Sequence, residues 1–201
     1  MIEVFADVRC PFAHVGLRRL ADLRDARRPD AVMYIRAWPL EWVNHAPLDV
    51  DHVVENVKAL RDSVAPDLFS GFVPATFAST SIPAMSLTSA AYDLGPEIGE
   101  RVALTLRTAQ FEQGLDVASP GVLLDVAHSA GMELPQRGGR PGVEADWHDG
   151  ARRGVIGSPH FFIGGRDFFC PTLDISRVDG RLHIAFDREA FDAFAGRALA
   201  A

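Results

Sequence analysis

Pro11 restricts this chain more than any other single residue. Its fixed φ and missing N–H suit the first position of a helix, where that N–H would have no partner anyway. Ahead of it, Ile2-Glu3-Val4-Phe5-Ala6 reads as a short strand, and Asp7-Val8-Arg9-Cys10 forms the loop between. Behind it, Phe12, Val15, Leu17, Leu20, Leu23 and Ala26 recur close to a helical period. A helix is therefore predicted over residues 11–27, ended by Pro29-Asp30. Residues 32–38 read as the next strand. Strand, helix and strand at these lengths give a right-handed βαβ unit with parallel strands.

The pattern then changes. Val53, Val54, Val57 and Leu60 mark one helix, and residues 85–94 a second, ended by Gly95-Pro96. Ile98, Val102, Leu106, Ala109 and Phe111 mark a third, and Leu123, Leu124, Val126 and Ala127 a fourth. No comparable strand signal interrupts them, so residues 46–146 are expected to be an all-helical insertion. Arg137-Gly138-Gly139-Arg140-Pro141-Gly142 reads as a hinge or surface loop. Residues 159–163 then read as a strand, Gly164-Gly165 as a two-residue hairpin turn and residues 166–170 as the partner strand. Residues 180–186 read as a further strand. Asp187 caps a last helix with Ala190, Phe191, Phe194 and Leu199 on its apolar face.

With 201 residues and 48% hydrophobic content, the chain can bury a full core without disulfide or metal. A net charge of -7 argues against nucleic-acid binding by phosphate neutralisation. Lys58 is the only lysine among 20 basic residues, which reads as a mark of genome composition. No apolar run reaches membrane-spanning length, and Met1 is not followed by a basic and apolar leader, so no membrane partner is expected and the cytoplasm is the expected location. In a reducing compartment Cys10 and Cys170 are poor material for a structural disulfide. Each is either a small packed residue or a chemically used one.

Cys10 precedes the helix whose first residue is Pro11. A thiol there faces unpaired N–H groups and the positive end of the helix dipole, which favour the thiolate nucleophile. His14 follows one turn later and could add positive charge or donate a proton. A small core cysteine at a turn is the alternative. Gly157-Ser158-Pro159 opens the hairpin, and Pro159 is allowed as the first residue of a strand. Trp38 and Trp42 follow the second strand at its carboxyl end, where an apolar cleft or a core between sheet and insertion would place them. Cys10, His14, His160 and Cys170 match no short zinc motif, so no metal is expected.

Taken in order, three segments resemble the DsbA-like branch of the thioredoxin superfamily. Residues 7–16 (Asp-Val-Arg-Cys-Pro-Phe-Ala-His-Val-Gly) are similar to its active-site segment. Phe111-Glu112-Gln113-Gly114-Leu115-Asp116 is similar to a recurring phrase of its insertion. Residues 154–162 are similar to its cis-proline strand. Within the family the pattern resembles FrnE-like oxidoreductases, 2-hydroxychromene-2-carboxylate isomerases and kappa-class glutathione transferases. The resemblance implies an α/β, thioredoxin-like fold built from residues 1–45 and 147–201 around the helical insertion. It implies Cys10 as nucleophile and a cis Pro159, and His14, one turn along the helix, is the residue placed to assist. The Ser158 backbone would then pair with a bound peptide or thiol as an added strand would. Pro11, Phe12, Trp38, Asn44, Ser158, Cys170 and Thr172 are the expected contacts to substrate or thiol. Asn44 lies in a stretch with a loose likeness to a glutathione-contacting one. Thr172 stands where those relatives carry an acidic residue.

One departure matters. Dithiol members carry Cys-x-x-Cys, but the fourth position here is Ala13. Release of a mixed disulfide by a cysteine three residues away is blocked. A small thiol such as glutathione could resolve the adduct, Cys170 could do so, or the thiol could activate a substrate without redox turnover. Around Gly164-Gly165, residue 163 pairs with 166 and Pro159 faces Cys170. Two strand spacings then separate Cys10 from Cys170 by roughly 10 Å, beyond the Cα separation of about 7 Å that a disulfide tolerates. The expected function is monothiol disulfide exchange on a small thiol or protein disulfide, with no tightly bound cofactor. A thiol-dependent isomerase or transferase and a non-catalytic binding protein are the alternatives. The insertion offers a surface on which a homodimer could form.

Overall fold

The computed structural model describes residues 2–134, 140–179 and 181–200. Strand β1 (Ile2–Ala6), helix α1 (Pro11–Arg27) and strand β2 (Met33–Ala37) form the expected parallel unit, with Ile2 opposite Met33 and Ala6 opposite Ala37. Strands β3 (His160–Ile163) and β4 (Arg166–Phe169) complete a four-stranded sheet in the order β2-β1-β3-β4, with β3 antiparallel to β1. Gly164 and Gly165 both hold left-handed φ values, of 56° and 77°, as a primed turn requires, and Ile163 pairs with Arg166. Strands β5 (Leu173–Val178) and β6 (Arg181–Phe186) form a separate antiparallel pair. β5 had no expectation from the sequence. Helix α8 (Arg188–Ala200) follows, with the Asp187 carboxylate accepting from the Ala190 amide at 2.8 Å. Phe191, Phe194 and Leu199 are buried on it, but Ala190 is exposed and does not belong to the apolar face.

Between β2 and β3 lie α2 (Leu40–Val43), α3 (Val50–Ser63), a 3-10 turn at Pro74–Thr76, α4 (Ile82–Tyr92), α5 (Pro96–Phe111), α6 (Pro120–Ser129) and α7 (Arg140–Arg152). Residues 135–139 lie outside the described residues, so the expected loop can be compared only from Arg140, which opens α7. Pro141 is a helix-start signal there rather than a loop marker. The boundary expected at residue 146 falls inside this helix.

Helix α1 is buried through most of its first half because it is covered twice. Ala13, Leu17, Leu20 and Ala21 pack with Val4, Ala6, Phe161 and Phe194 of the sheet and α8. Val15 packs instead with Val53, Val57 and Phe69 of the insertion. On the other side of the sheet, Phe5 and Trp38 meet Trp147 of α7.

β2 is an edge strand, and an open edge of this kind invites pairing with another chain. Here side chains from three helices close it. Glu100 of α5 accepts from the Met33 amide at 2.9 Å, and Asp146 of α7 accepts from the Ala37 amide at 2.9 Å. Between them the Tyr92 hydroxyl of α4 accepts from the Ile35 amide at 2.7 Å and donates to the Met33 carbonyl at 2.9 Å. These contacts explain why the sheet ends at β2 and why the insertion docks at a fixed position. Tyr92→Phe strands an amide and a carbonyl, so it is expected to lower unfolding free energy by about 2 kcal/mol. A shift in the denaturant midpoint at unchanged slope checks this; an unshifted midpoint contradicts it.

Candidate active site

Cys10 is the residue just before α1, and Pro11 is its first helical residue. The thiol donates to the Ser158 carbonyl at 3.1 Å, and the Ser158 hydroxyl accepts from the Asp7 amide at 2.9 Å. The segment before β3 is thus tied to the start of α1 from both sides. The Ser158–Pro159 peptide bond is cis. Cys170 follows β4 and donates its amide to the Pro159 carbonyl at 3.0 Å. Cys170 faces Pro159 as the register around Gly164-Gly165 requires, and both cysteines are free. Its φ of 43° is a left-handed conformation rare outside glycine, asparagine and aspartate.

Cys10 is only 3% exposed, and this alters the chemistry of its thiol. Burial is the largest influence and pushes the thiol above its ordinary value. The Ser158 hydroxyl and the Ala13 amide pull the other way, the Asp7 carboxylate adds repulsion, and the Phe12 amide again favours the thiolate. The helix start is present as expected, but desolvation outweighs it, so the expectation of a lowered value is corrected. Burial and the nearby Cys10 push the Cys170 thiol to about 12.

His14 does not serve Cys10 by any contact of its ring nitrogens. Its Nε2 lies 3.2 Å from the Leu68 carbonyl and 3.2 Å from the Glu112 carboxylate, and among the described residues its buried Nδ1 has no partner. The ring stacks on Phe111 and meets Phe69 edge-on. Burial lowers its basicity despite Glu112. The role given it as proton donor becomes a structural one: it clamps α1 to the insertion through two residues of the Phe111–Asp116 phrase. Trp38 is also corrected. It is buried against Phe5, stacked on Trp147, and belongs to the core between sheet and α7. Thr172 is sealed from solvent, its hydroxyl unpartnered, against Gly16 on the side where Pro159 also packs. The ligand contact expected of it would have to reach a side chain with no exposed surface. Asn44 is exposed at the end of α2. Pro11 is buried and Phe12 half-buried beside the sulfur-bearing residue. His160 is committed to Asp167 and to the Ile156 amide. Among the described residues no group of three or more His, Cys, Asp or Glu is placed to hold a metal.

Two features go beyond the sequence reading, in which Asp7 could tune the thiol, cap the helix or, more simply, hydrogen-bond within the loop, and no apolar rim is expected. Asp7 is fully buried and accepts from the Arg9 amide (2.7 Å), the Ser81 hydroxyl (2.6 Å) and the Leu40 amide (2.7 Å). Arg9, buried next to it, donates to Ser81, to the Ala78 carbonyl and to Glu41. This network fixes the loop that carries Cys10. The second feature is an apolar rim. Ile156 and Phe169 are exposed on either side of the segment leading into Pro159, and a Cβ on Gly157 would stand 2.6 Å from the Phe169 ring. Such exposed apolar groups, flanking the segment whose Ser158 carbonyl meets the Cys10 thiol, suit contact with another molecule. Asp7→Asn removes a charge that opposes thiolate formation. It is expected to move the pH midpoint of Cys10 alkylation downward and raise the rate at pH 7.5 severalfold. An unmoved midpoint would contradict the electrostatic link between the two residues.

The sequence model of the DSBA-like thioredoxin domain matches residues 1–183. Among curated sequences no relative matches significantly. Solved structures share the fold at low identity. A probable DsbA oxidoreductase from Streptomyces coelicolor superposes with a TM-score of 0.69 at 15% identity, over 99% of this chain and 89% of that one. A 2-hydroxychromene-2-carboxylate isomerase gives 0.65 at 16% identity, over 84% and 87%. The cytosolic disulfide reductase DsbM from Pseudomonas aeruginosa, in its structure with GSH, gives 0.53 at 14% identity, over 100% and 99%. With its split sheet, its helical insertion and a cysteine opening α1 beside Pro159, the chain belongs to the DsbA-like thioredoxin family.

Proposed function

We propose that this protein is a thiol–disulfide exchange enzyme in which Cys10 is the attacking sulfur and a small thiol resolves the adduct. The observation that carries the reading is the position of the Cys10 thiol, opening α1 and held against Ser158, with Ala13 packed in the core where a second cysteine would stand. Thiolate sulfur attacks one sulfur of a disulfide, the new bond forms to Cys10, and the other half leaves as a thiolate that takes up the released proton. A low-molecular-weight thiol such as glutathione then attacks the substrate sulfur, forming a new disulfide and returning the Cys10 thiolate. Cys170 is a poor resolving group at neutral pH, since a thiol near 12 is almost wholly protonated. The Ser158 backbone offers an edge for an extended substrate, and Ile156 and Phe169 offer apolar contact. A cytoplasmic setting, with a reducing thiol pool, belongs to the same proposal. Among the described residues no helix is long and apolar enough to cross a membrane.

A second reading has one observation in its favour. A buried thiol that donates to a carbonyl is held in its neutral form. Such a group suits hydrogen bonding to another thiol, as a thiol-dependent isomerase or transferase would need. Turnover of a small mixed disulfide with reduced glutathione separates the readings. The exchange reading expects turnover that Cys10→Ser reduces to background and Cys170→Ser leaves largely intact. Because the thiol is pushed up, the thiolate fraction grows about tenfold per pH unit below its midpoint, so the rate is expected to climb steadily from pH 7 to 9. Turnover that persists in Cys10→Ser overturns this reading. No turnover in the native chain, with a small thiol still bound, points to the isomerase or transferase. Neither turnover nor thiol binding leaves a binding protein.

A further inference from the structure

Arg107 is a buried cation that no carboxylate contacts among the described residues, and the buried Asp7 carboxylate acts on it only through space. It lies on α5, is only 2% exposed, and donates from Nη1 to the Ala103 carbonyl of its own helix at 2.8 Å. Among the described residues its Nε has no hydrogen-bond partner and no carboxylate lies within ion-pair distance of it. Buried guanidinium groups are ordinarily paired, because removing an ion from water is costly unless an opposite charge meets it. Its neighbour Arg36 shows the ordinary case, with Glu3, Asp146 and Asp149 around a single guanidinium.

The unpaired side chain lines a cavity of about 190 Å³ between the β2 edge and helices α4, α5 and α7. The chamber is smaller than the roughly 300–1,000 Å³ of pockets for drug-sized ligands, which limits an occupant to a few heavy atoms. Apolar wall comes from Ala6, Val8, Ile35 and Met85. The carboxylates of Asp93 and Asp146 also border it, and they disfavour a multiply charged anion. Asp146 is already engaged by Arg36 and the Ala37 amide. We propose that this cavity binds a small organic monocarboxylate, its carboxylate received by Arg107 and its apolar body by the walls from β1, β2 and α4. The fork of guanidinium donors matches a carboxylate, and of the two lining cations, Arg36 and Arg107, it is Arg107 that no carboxylate contacts among the described residues.

The site is separate from the thiol chemistry and stands or falls independently of it. Calorimetric titration of the full chain with sodium benzoate and with sodium acetate, at ionic strength fixed by sodium chloride, tests it. Benzyl alcohol serves as the uncharged comparison. Saturable benzoate or acetate binding is expected, weakened at least tenfold in Arg107→Met and absent for benzyl alcohol. Ala145 also lines the cavity and is exposed, so Ala145→Phe fills it without touching the cation. That variant is expected to abolish binding with Arg107 intact, and it decides the matter if Arg107→Met does not fold. Carboxylate binding unchanged in either folded variant overturns the proposal. So does a titration without saturable heat, or displacement by chloride at equal concentration, which would leave an adventitious ion only.

Discussion

A carboxylate cut off from water must be answered by hydrogen bonds, and Asp7 is answered by the very segments that make the site. Its two oxygens take amides from Arg9 and Leu40 and the hydroxyl of Ser81, while its own amide reaches Ser158. One residue, through its side chain and its amide, therefore joins the end of β1, the start of α2, the turn before α4 and the residue preceding Pro159. Arg9 extends the network to Ala78 and Glu41. The cluster anchors the loop bearing Cys10 on the side where its thiol meets Ser158. The network also has a chemical effect, because the same negative charge opposes ionisation of the thiol it positions.

Two influences compete at that thiol. The amides of Ala13 and Phe12 favour a thiolate, as any helix start would. Burial opposes it and prevails, since α1 is covered on one side by the sheet and on another by the insertion. Ala13 sits in the same covered region and packs with Val4, Leu17 and Phe161. The position that would carry a second thiol in a dithiol relative is here an element of the core. The arrangement leaves one sulfur at this helix start, its thiol pushed up by burial.

Local chemistry made part of this legible in the sequence. Pro11 fixed the start of α1, and Gly164-Gly165 fixed the hairpin and with it the placement of Cys170 opposite Pro159. The helical periods of the insertion located α3 to α6. Cys10 and Pro159 were drawn together by resemblance to a family, not by periodicity. What escaped depended on distant partners. The role of His14 is decided by Leu68 and Glu112, far along the chain. Trp38 resembles a cleft residue until Trp147 covers it, and Trp147 lies on α7, whose start was read as a loop. β5 was missed because all but its first residue are exposed, so it lacks the alternation that marks a half-buried strand. Asp7 and Arg9 look like ordinary loop residues, and only packing reveals that both are sealed inside.

The account rests on the sulfur of Cys10 being the atom that meets a substrate disulfide. Peptide mapping by mass spectrometry, after exposure of the full chain to oxidised glutathione at pH 8.5, addresses this directly. The account predicts a mixed disulfide on the peptide containing Cys10, discharged when reduced glutathione is added. An adduct confined to Cys170, or an unmodified Cys10 in a chain that stays folded, would contradict it.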